Sequence, residues 1–532
     1  MSRYTILLLV SLWTAAQAQV NRYAVFFRDK AGTPYSISNP SAFLSQRALD
    51  RRTKNQVNIT EADLPISPAY TDNLRNVGAT VLFTSRWFNA AIVQCANSLL
   101  PALLALPEVS RVELVAPGPR PTAGGRVAGP GNTAEVTDTQ LSMHGLNMMH
   151  QDGGNGQGVF VAVFDSGFSG ADTLSAFFHV FNEGRVPHGF AFNMVYGGNH
   201  VFGFDDHGTA VWSVIAAQVP GTFTGGAPKA TFMLAVTEDV NSEYRIEEYN
   251  WAVAAERADS AGVDVINTSL GYNTFDDPSM NYQPRDMNGE TAVISRAAAM
   301  AAARGMVVVV SAGNEGARPW QIITAPADAA QVLATGNVNS SGIKNASSSI
   351  GPSADGRIKP DVAALGTGVS VYRANGNQGT LTGTSLAAPL TTSLVAGLIQ
   401  LFPEAGAAEI ATAVRMGASQ AGAPDNLIGY GIIDYAGSRS ILESHLTEPA
   451  LQVFPNPVVA GTLTVRCSNP VALPWTRYEL LKVNGQLVDA GRLTFGITSP
   501  AAMLSFENLP PGIYLLRLMW QEGHYSVKIA KP

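Results

Sequence analysis

Long apolar runs alternate with helix-period segments through the middle of the chain. VFVAVF (Val159–Phe164), TFMLAV (Thr231–Val236), VDVIN (Val263–Asn267), MVVVVS (Met306–Ser311) and VLATG (Val332–Gly336) read as strands buried on both faces. Between and after them, GTAVWSVIAAQ (Gly208–Gln218), IEEYNWAVAAERADSAG (Ile246–Gly262), ETAVISRAAAMAAARG (Glu290–Gly305) and SLAAPLTTSLVAGLIQ (Ser385–Gln400) predict helices. The alternation predicts an α/β domain over 137–437, a parallel sheet with helices on both faces. In such sheets, ligands gather at the carboxyl ends of the strands.

The flanks follow other patterns. Residues 19–116 predict an α+β unit: YAVFF (Tyr23–Phe27), ATVLF (Ala79–Phe83) and VSRVELV (Val109–Val115) are strands, and Ala90–Leu106 carries a helical period. Residues 117–136 are rich in Pro and Gly and read as an exposed linker. Residues 450–532 predict a small all-β sandwich, with Asn484-Gly485 and Glu522-Gly523 marking tight turns between short strands. The first 18 residues carry Arg3, an apolar run from Tyr4 to Thr14, and Ala16-Gln17-Ala18, the pattern of a secretory signal cleaved after Ala18. That run is too short to span a bilayer, and no later stretch is expected to.

Composition narrows the function classes. Of the 532 residues, 46% are hydrophobic and 14% charged, which excludes a disordered chain. Lys plus Arg total 34 against 41 Asp plus Glu, a net charge of −7 that offers no footprint for nucleic acid. Cys95 and Cys467 alone cannot form a disulfide scaffold or a cysteine-based zinc site, and leave at most one long-range bridge.

Candidate chemistry sits where the sheet pattern places it. GGNGQG (Gly153–Gly158) precedes a strand instead of following one, so it reads as a turn rather than a dinucleotide fingerprint. Asp165 directly follows VFVAVF, His207 opens a helix in DDHGTAVWS, Asn314 follows MVVVVS in SAGNEG, and Ser385 opens a helix in GTSLAAP. Each has an ordinary structural reading, as turn residue, core histidine or helix cap. Together they fit one mechanism. A serine hydroxyl needs an adjacent base, histidine titrates where it can be one, and a carboxylate fixes its tautomer. The Asn314 amide and the Ser385 backbone N–H can stabilise a tetrahedral oxyanion. The order Asp, His, Ser and the sequence Gly383-Thr384-Ser385-Leu386-Ala387 exclude the Gly-x-Ser-x-Gly arrangement of α/β-hydrolases.

At these motifs the chain resembles the subtilisin-like serine proteases. AVFDSG, HGTAV, SAGNEG and GTSLAAP occur in that family's order, separated by 42, 107 and 71 residues. The resemblance implies a catalytic triad of Asp165, His207 and Ser385 with Asn314 as oxyanion donor. It also implies a substrate-binding strand at Ser269, Leu270 and Gly271, whose backbone would pair with a polypeptide substrate. KPDVAALG (Lys359–Gly366) resembles the segment that precedes the nucleophile. Leu386 and Ala210 depart from the commonest family residues, and Tyr272–Gly289 looks like an insertion. Residues 19–116 resemble the inhibitory propeptides of secreted Bacteroidota proteases. VFPNP, ENLPPGIYLLRL and YSVKIAK resemble a type IX secretion sorting domain, implying the secretion machinery as partner and a secreted or surface location.

These features imply a secreted serine endopeptidase made as a zymogen, needing no cofactor. Two other classes stay open: a cell-surface adhesin or binding protein with an inactive protease-like domain, and an esterase using the same triad. The N-terminal unit also reads as an ordinary domain on a flexible linker. Asp276, Asp277, Asn281, Asp286, Asn288 and Glu290 make calcium a candidate structural ion.

Overall fold

Seven parallel strands form the central sheet, in the spatial order Val362–Leu365, Leu333–Val338, Val307–Ser311, Val265–Thr268, Phe160–Asp165, Thr231–Val236 and Ala191–Asn193. The computed structural model describes residues 19–121, 138–446, 451–459, 461–467, 473–496, 500–520 and 523–532. The predicted signal over 1–18 and most of the 117–136 linker lie outside the described residues.

Strand side chains alternate between two cores, as period-2 geometry requires. Val161 and Val163 point into one, with Trp212 of helix His207–Ala216 and Leu390 and Leu394 of helix Thr384–Leu401. Ala162 and Phe164 point into the other, with Trp251 of helix Ile246–Ala261 and Ile294 of helix Val293–Ala302. The sheet is thus covered on both faces, and its fully apolar strands follow from that. Thr384–Leu401 is an 18-residue helix long and apolar enough by composition to cross a bilayer, which the chain was not expected to contain; 83% of it is buried within the protein. Here it is the core helix that carries Ser385.

The N-terminal unit is a four-stranded antiparallel sheet ordered Thr80–Ser85, Ala90–Ala96, Val20–Phe27 and Val109–Pro117. It corrects the helix expected over Ala90–Leu106: only Leu100–Leu104 is α-helical. Ala90–Ala96 pairs on both sides, with Val93 opposite Tyr23 and Val81. Two ladders and the β-branched Ile92 and Val93 outweigh a local helical spacing. Helices Gln46–Lys54 and Pro68–Asn76 complete the unit.

The C-terminal residues form two antiparallel sheets, one of three strands (Leu451–Phe454, Thr462–Cys467, Ala501–Ser505) and one of four (Leu487–Thr494, Trp475–Lys482, Gly512–Trp520, Gly523–Lys531). Their inner faces share one core around Leu463, Val465, Leu516 and Leu518. Cys95 and Cys467 fall in different sheets, the first in the N-terminal unit and the second here.

Candidate active site

Asp165 ends the strand Phe160–Asp165 and is 1% exposed. Its Oδ1 accepts from the Ser166 N–H at 2.8 Å and from His207 Nδ1 at 2.7 Å. His207 is the first residue of its helix, and Gly208 lets that helix approach. A Cβ on Gly208 would lie 2.3 Å from the Gly167 carbonyl oxygen and 2.9 Å from Asp165 Cβ. Asp205 braces the turn from outside, its Oδ2 accepting from the Ser166 hydroxyl at 2.9 Å and the His207 N–H at 3.3 Å.

The His207 ring is 35% exposed. Burial by itself would lower its pKa. The Asp165 charge and hydrogen bond, followed by Glu238 and Asp205, outweigh burial and raise the pKa to about 9. The ring therefore favours the imidazolium that an accepted proton would create.

Strand register brings the other residues to the same sheet edge. Val265–Thr268 lies beside Phe160–Asp165 with Thr268 opposite Phe164, so Ser269 falls beside Asp165. The Ser385 hydroxyl donates to the Ser269 carbonyl at 3.2 Å, and the Ser269 hydroxyl donates to the Ser385 carbonyl at 2.9 Å. No hydrogen bond joins Ser385 to His207 among the described residues; in an empty site such bonds are often long and tighten on substrate binding. Ser385 is in the first turn of its helix, where N–H groups have no intrahelical partner.

Asn314 follows Val307–Ser311 and lies against the same helix start. Its Oδ1 accepts from the Thr384 N–H at 3.0 Å and the Thr384 hydroxyl at 3.1 Å. That fixes the amide with Nδ2 unengaged among the described residues, as a donor to an oxyanion must be. Leu270 and Ser269 are 5% exposed, and the Ser311 hydroxyl donates to the Leu270 carbonyl at 3.3 Å.

Three supporting residues escaped sequence reasoning. Ser269 was marked for its backbone, yet its side chain holds the Ser385 turn, and Asn267 Nδ2 donates to that hydroxyl at 3.2 Å. Asp205 stood two residues before His207 in DDHGT, a local signal that was available. Glu238 lies two residues past Val236, which pairs with Asp165; only strand register reveals its closeness to the site.

The acids of the insertion are mostly engaged in turns. Asp277 accepts from Ser279 N–H, Asp286 from Gln283 N–H, Asn281 from Phe275 N–H, and Asn288 from Glu290 and Thr291 N–H. Among the described residues no group of three or more His, Cys, Asp or Glu is placed to hold a metal ion.

A parallel sheet thus gathers Asp165, His207, Ser385 and Asn314 at its carboxyl edge. The chain belongs to the subtilase family: residues 156–431 match the family model for Peptidase S8. Residues 22–124 match the Bacteroidota Peptidase S8 propeptide domain, and 452–531 the secretion system C-terminal sorting domain. The chain thus carries a subtilase domain, a Bacteroidota-type propeptide domain and a type IX secretion sorting domain, the last of which supports a location outside the cell or at its surface.

Among curated relatives, Mycosin-1 of Mycobacterium tuberculosis is 30% identical over 314 residues, 52% of this chain and 68% of that protein. Subtilisin NAT of Bacillus subtilis subsp. natto is 29% identical over 48% of this chain and 59% of its own length. Subtilisin-like protease SBT6.1 of Arabidopsis thaliana is 25% identical over 47% of this chain but only 23% of its own length. The solved MycP3 protease of the type VII (ESX-3) secretion system aligns with a TM-score of 0.48 at 23% identity, over 59% of this chain and 90% of that one.

Proposed function

We propose that the chain is a serine endopeptidase, with Ser385 as nucleophile, His207 as general base and acid, Asp165 as tautomer lock, and Asn314 with the Ser385 N–H as oxyanion hole. The observation that carries this is the 2.7 Å His207 Nδ1–Asp165 Oδ1 bond, at the sheet edge where Ser269 holds the Ser385 hydroxyl. With Nδ1–H given to Asp165, Nε2 is the free base. Ser385 Oγ attacks the peptide carbonyl carbon while Nε2 takes its proton, and the oxyanion is held by Asn314 Nδ2 and the Ser385 N–H. The imidazolium then protonates the leaving amine. Nε2 next takes a proton from the water that attacks the acyl carbon, and the imidazolium returns it to Ser385 Oγ as the acyl–Oγ bond breaks and the carboxylate product leaves. Extended polypeptide pairing along Ser269–Gly271 favours peptides over simple esters. A fluorophosphonate probe tests the nucleophile: an adduct mapped by mass spectrometry to Ser385 is expected, and an adduct elsewhere or none contradicts it.

We further propose that residues 19–116 inhibit the enzyme until cleavage within 117–136. Support comes from how the unit grips helix Ile246–Ala261. Asp259 is paired by Arg51, Arg52 and Arg86, and Asp63 by Arg52 and by Arg304 of the catalytic domain. Glu256 accepts from the Ser85 hydroxyl and from the backbone N–H groups of Arg86 and Trp87. Such a contact fixes one register of the two surfaces. Calcium in the insertion is carried as a structural proposal: it would raise Tm, and a Tm unmoved by chelation removes it.

A further inference from the structure

A group of carboxylates near the site forms no direct ion pair, although Arg22 lies near Asp239 and Glu247, and Arg245 and Arg296 near Glu248. Asp239, Glu247 and Glu248 are each less than a tenth exposed. Among the described residues no ion pair joins Glu238, Asp239, Glu243, Glu247 or Glu248 to a lysine or arginine. Buried anions in such a group ordinarily carry a compensating charge. Burial first, and then Glu243 and Glu238, hold the Glu247 carboxyl well above the usual carboxylate range.

The group connects to the cleft. The Tyr272 hydroxyl, directly after the proposed substrate strand Ser269–Gly271, donates to Glu247 Oε2 at 3.5 Å. Asp239 is held by the Tyr196 hydroxyl at 2.9 Å and the Ser242 hydroxyl at 3.2 Å. Its neighbour Glu238 is close enough for its charge to act on both Asp165 and His207.

A second observation indicates what the group accepts. A narrow cleft, closed to about 10 Å³ in the precursor, is lined by Asp239, Glu247, Ser242 and Asn250 on the catalytic side and by Arg22 and Arg120 of the N-terminal segment on the other. Asn250 is 2% exposed; its Nδ2 donates to the Thr237 carbonyl at 3.1 Å, and its Oδ1 has no partner. The Arg22 Nε–H is likewise buried without a partner. The Arg120 guanidinium is anchored on the Val195 and Met194 carbonyls at 2.7 and 2.6 Å. The precursor therefore sets two of its own guanidinium groups against this acidic wall.

We propose that in the mature enzyme the wall formed by Asp239, Glu247 and the Asn250 carbonyl is a specificity subsite for the guanidinium or ammonium of a substrate Arg or Lys, on the N-terminal side of the scissile bond. This deepens the proposed peptidase function and rests on it. A peptide paired antiparallel to Ser269–Gly271 with its scissile bond at Ser385 runs its preceding residues past Gly271 and Tyr272, towards Glu247. Arg22 and Arg120 fill the same wall while the propeptide is attached. A basic substrate side chain supplies both the missing charge and the donor that Asn250 Oδ1 lacks.

The test uses mature enzyme and a peptide library in which each of the positions two to five residues before the scissile bond carries Arg, Lys, norleucine, Gln or Glu. The expected result is a preference for Arg or Lys over norleucine of about tenfold or more in kcat/KM at one of these positions. That preference falls in the Asp239→Asn/Glu247→Gln double variant. Should the double variant fail to fold, the single Asp239→Asn variant and a salt titration replace it: added salt must erode the Arg preference of the wild type more than its cleavage of norleucine peptides. Efficient cleavage indifferent to residue type at all four positions overturns the subsite and leaves the peptidase standing. Cleavage of no peptide in the library overturns both.

Discussion

The cleft and the propeptide interface both depend on charged groups, and they treat them in opposite ways. At the cleft, the His207 ring is a third exposed and makes one side-chain bond, while the Ser385 hydroxyl rests on one carbonyl. At the interface, the side chains of Arg51, Arg52, Asp63 and Asp259 are at most 2% exposed, and Arg52, Asp63 and Asp259 are each shared between partners. Groups that must pass a proton keep one fixed partner and one open side. Groups that hold the two surfaces in register are buried and shared among several opposite charges. Buried ion pairs add little net stability over a well-packed apolar contact, but breaking one from a single side is costly. The interface is therefore best read as a device for register.

Asp165→Asn should break the cleft side of this contrast hardest after loss of the nucleophile, lowering kcat by roughly 10⁴-fold, the order seen when a serine protease loses its tautomer lock. Steady-state kinetics on mature enzyme checks it. On the interface side, Asp259→Asn leaves Arg51, Arg52 and Arg86 facing an uncharged partner. Removal of one member of a buried pair costs about 3–5 kcal/mol, so the inhibition constant of added 19–116 fragment should rise roughly 10³-fold. An unchanged constant would show that the apolar contacts alone set affinity. Asn314→Ala should lower kcat by roughly 10² to 10³-fold, the size measured for loss of one such donor in a subtilisin.

The smallest effect is a shift in pH profile. His207 is raised to about 9, so its base form appears only as pH rises through that value. The acid limb of kcat/KM should therefore lie above the ordinary histidine range, and Asp165→Asn should move it to lower pH. A limb at the same pH in both proteins would remove the Asp165 charge as the cause.

Much of this was legible before any coordinates. Asp165 and His207 announce themselves because strand end and helix start are local events, written within a few residues of each. The central strands were legible because burial on both faces leaves runs without polar interruption. The three-residue edge strand Ala191–Asn193 was too short to leave a pattern, and Val362–Leu365 was read only as a motif segment. Ala90–Ala96 was misread because pairing with strands more than 60 residues away in one direction decides its conformation. The mutual Ser269–Ser385 bonds, between residues 116 apart, and the acidic wall around Glu247 exist only once register and topology are known.

The most direct test of the catalytic assignment is the rate of hydrolysis of a denatured protein by the Ser385→Ala enzyme, freed of its propeptide by an added protease and checked for native circular dichroism. The account predicts a fall of roughly 10⁶-fold in kcat with the spectrum unchanged. A folded Ser385→Ala protein that still cleaves at the wild-type rate would contradict it.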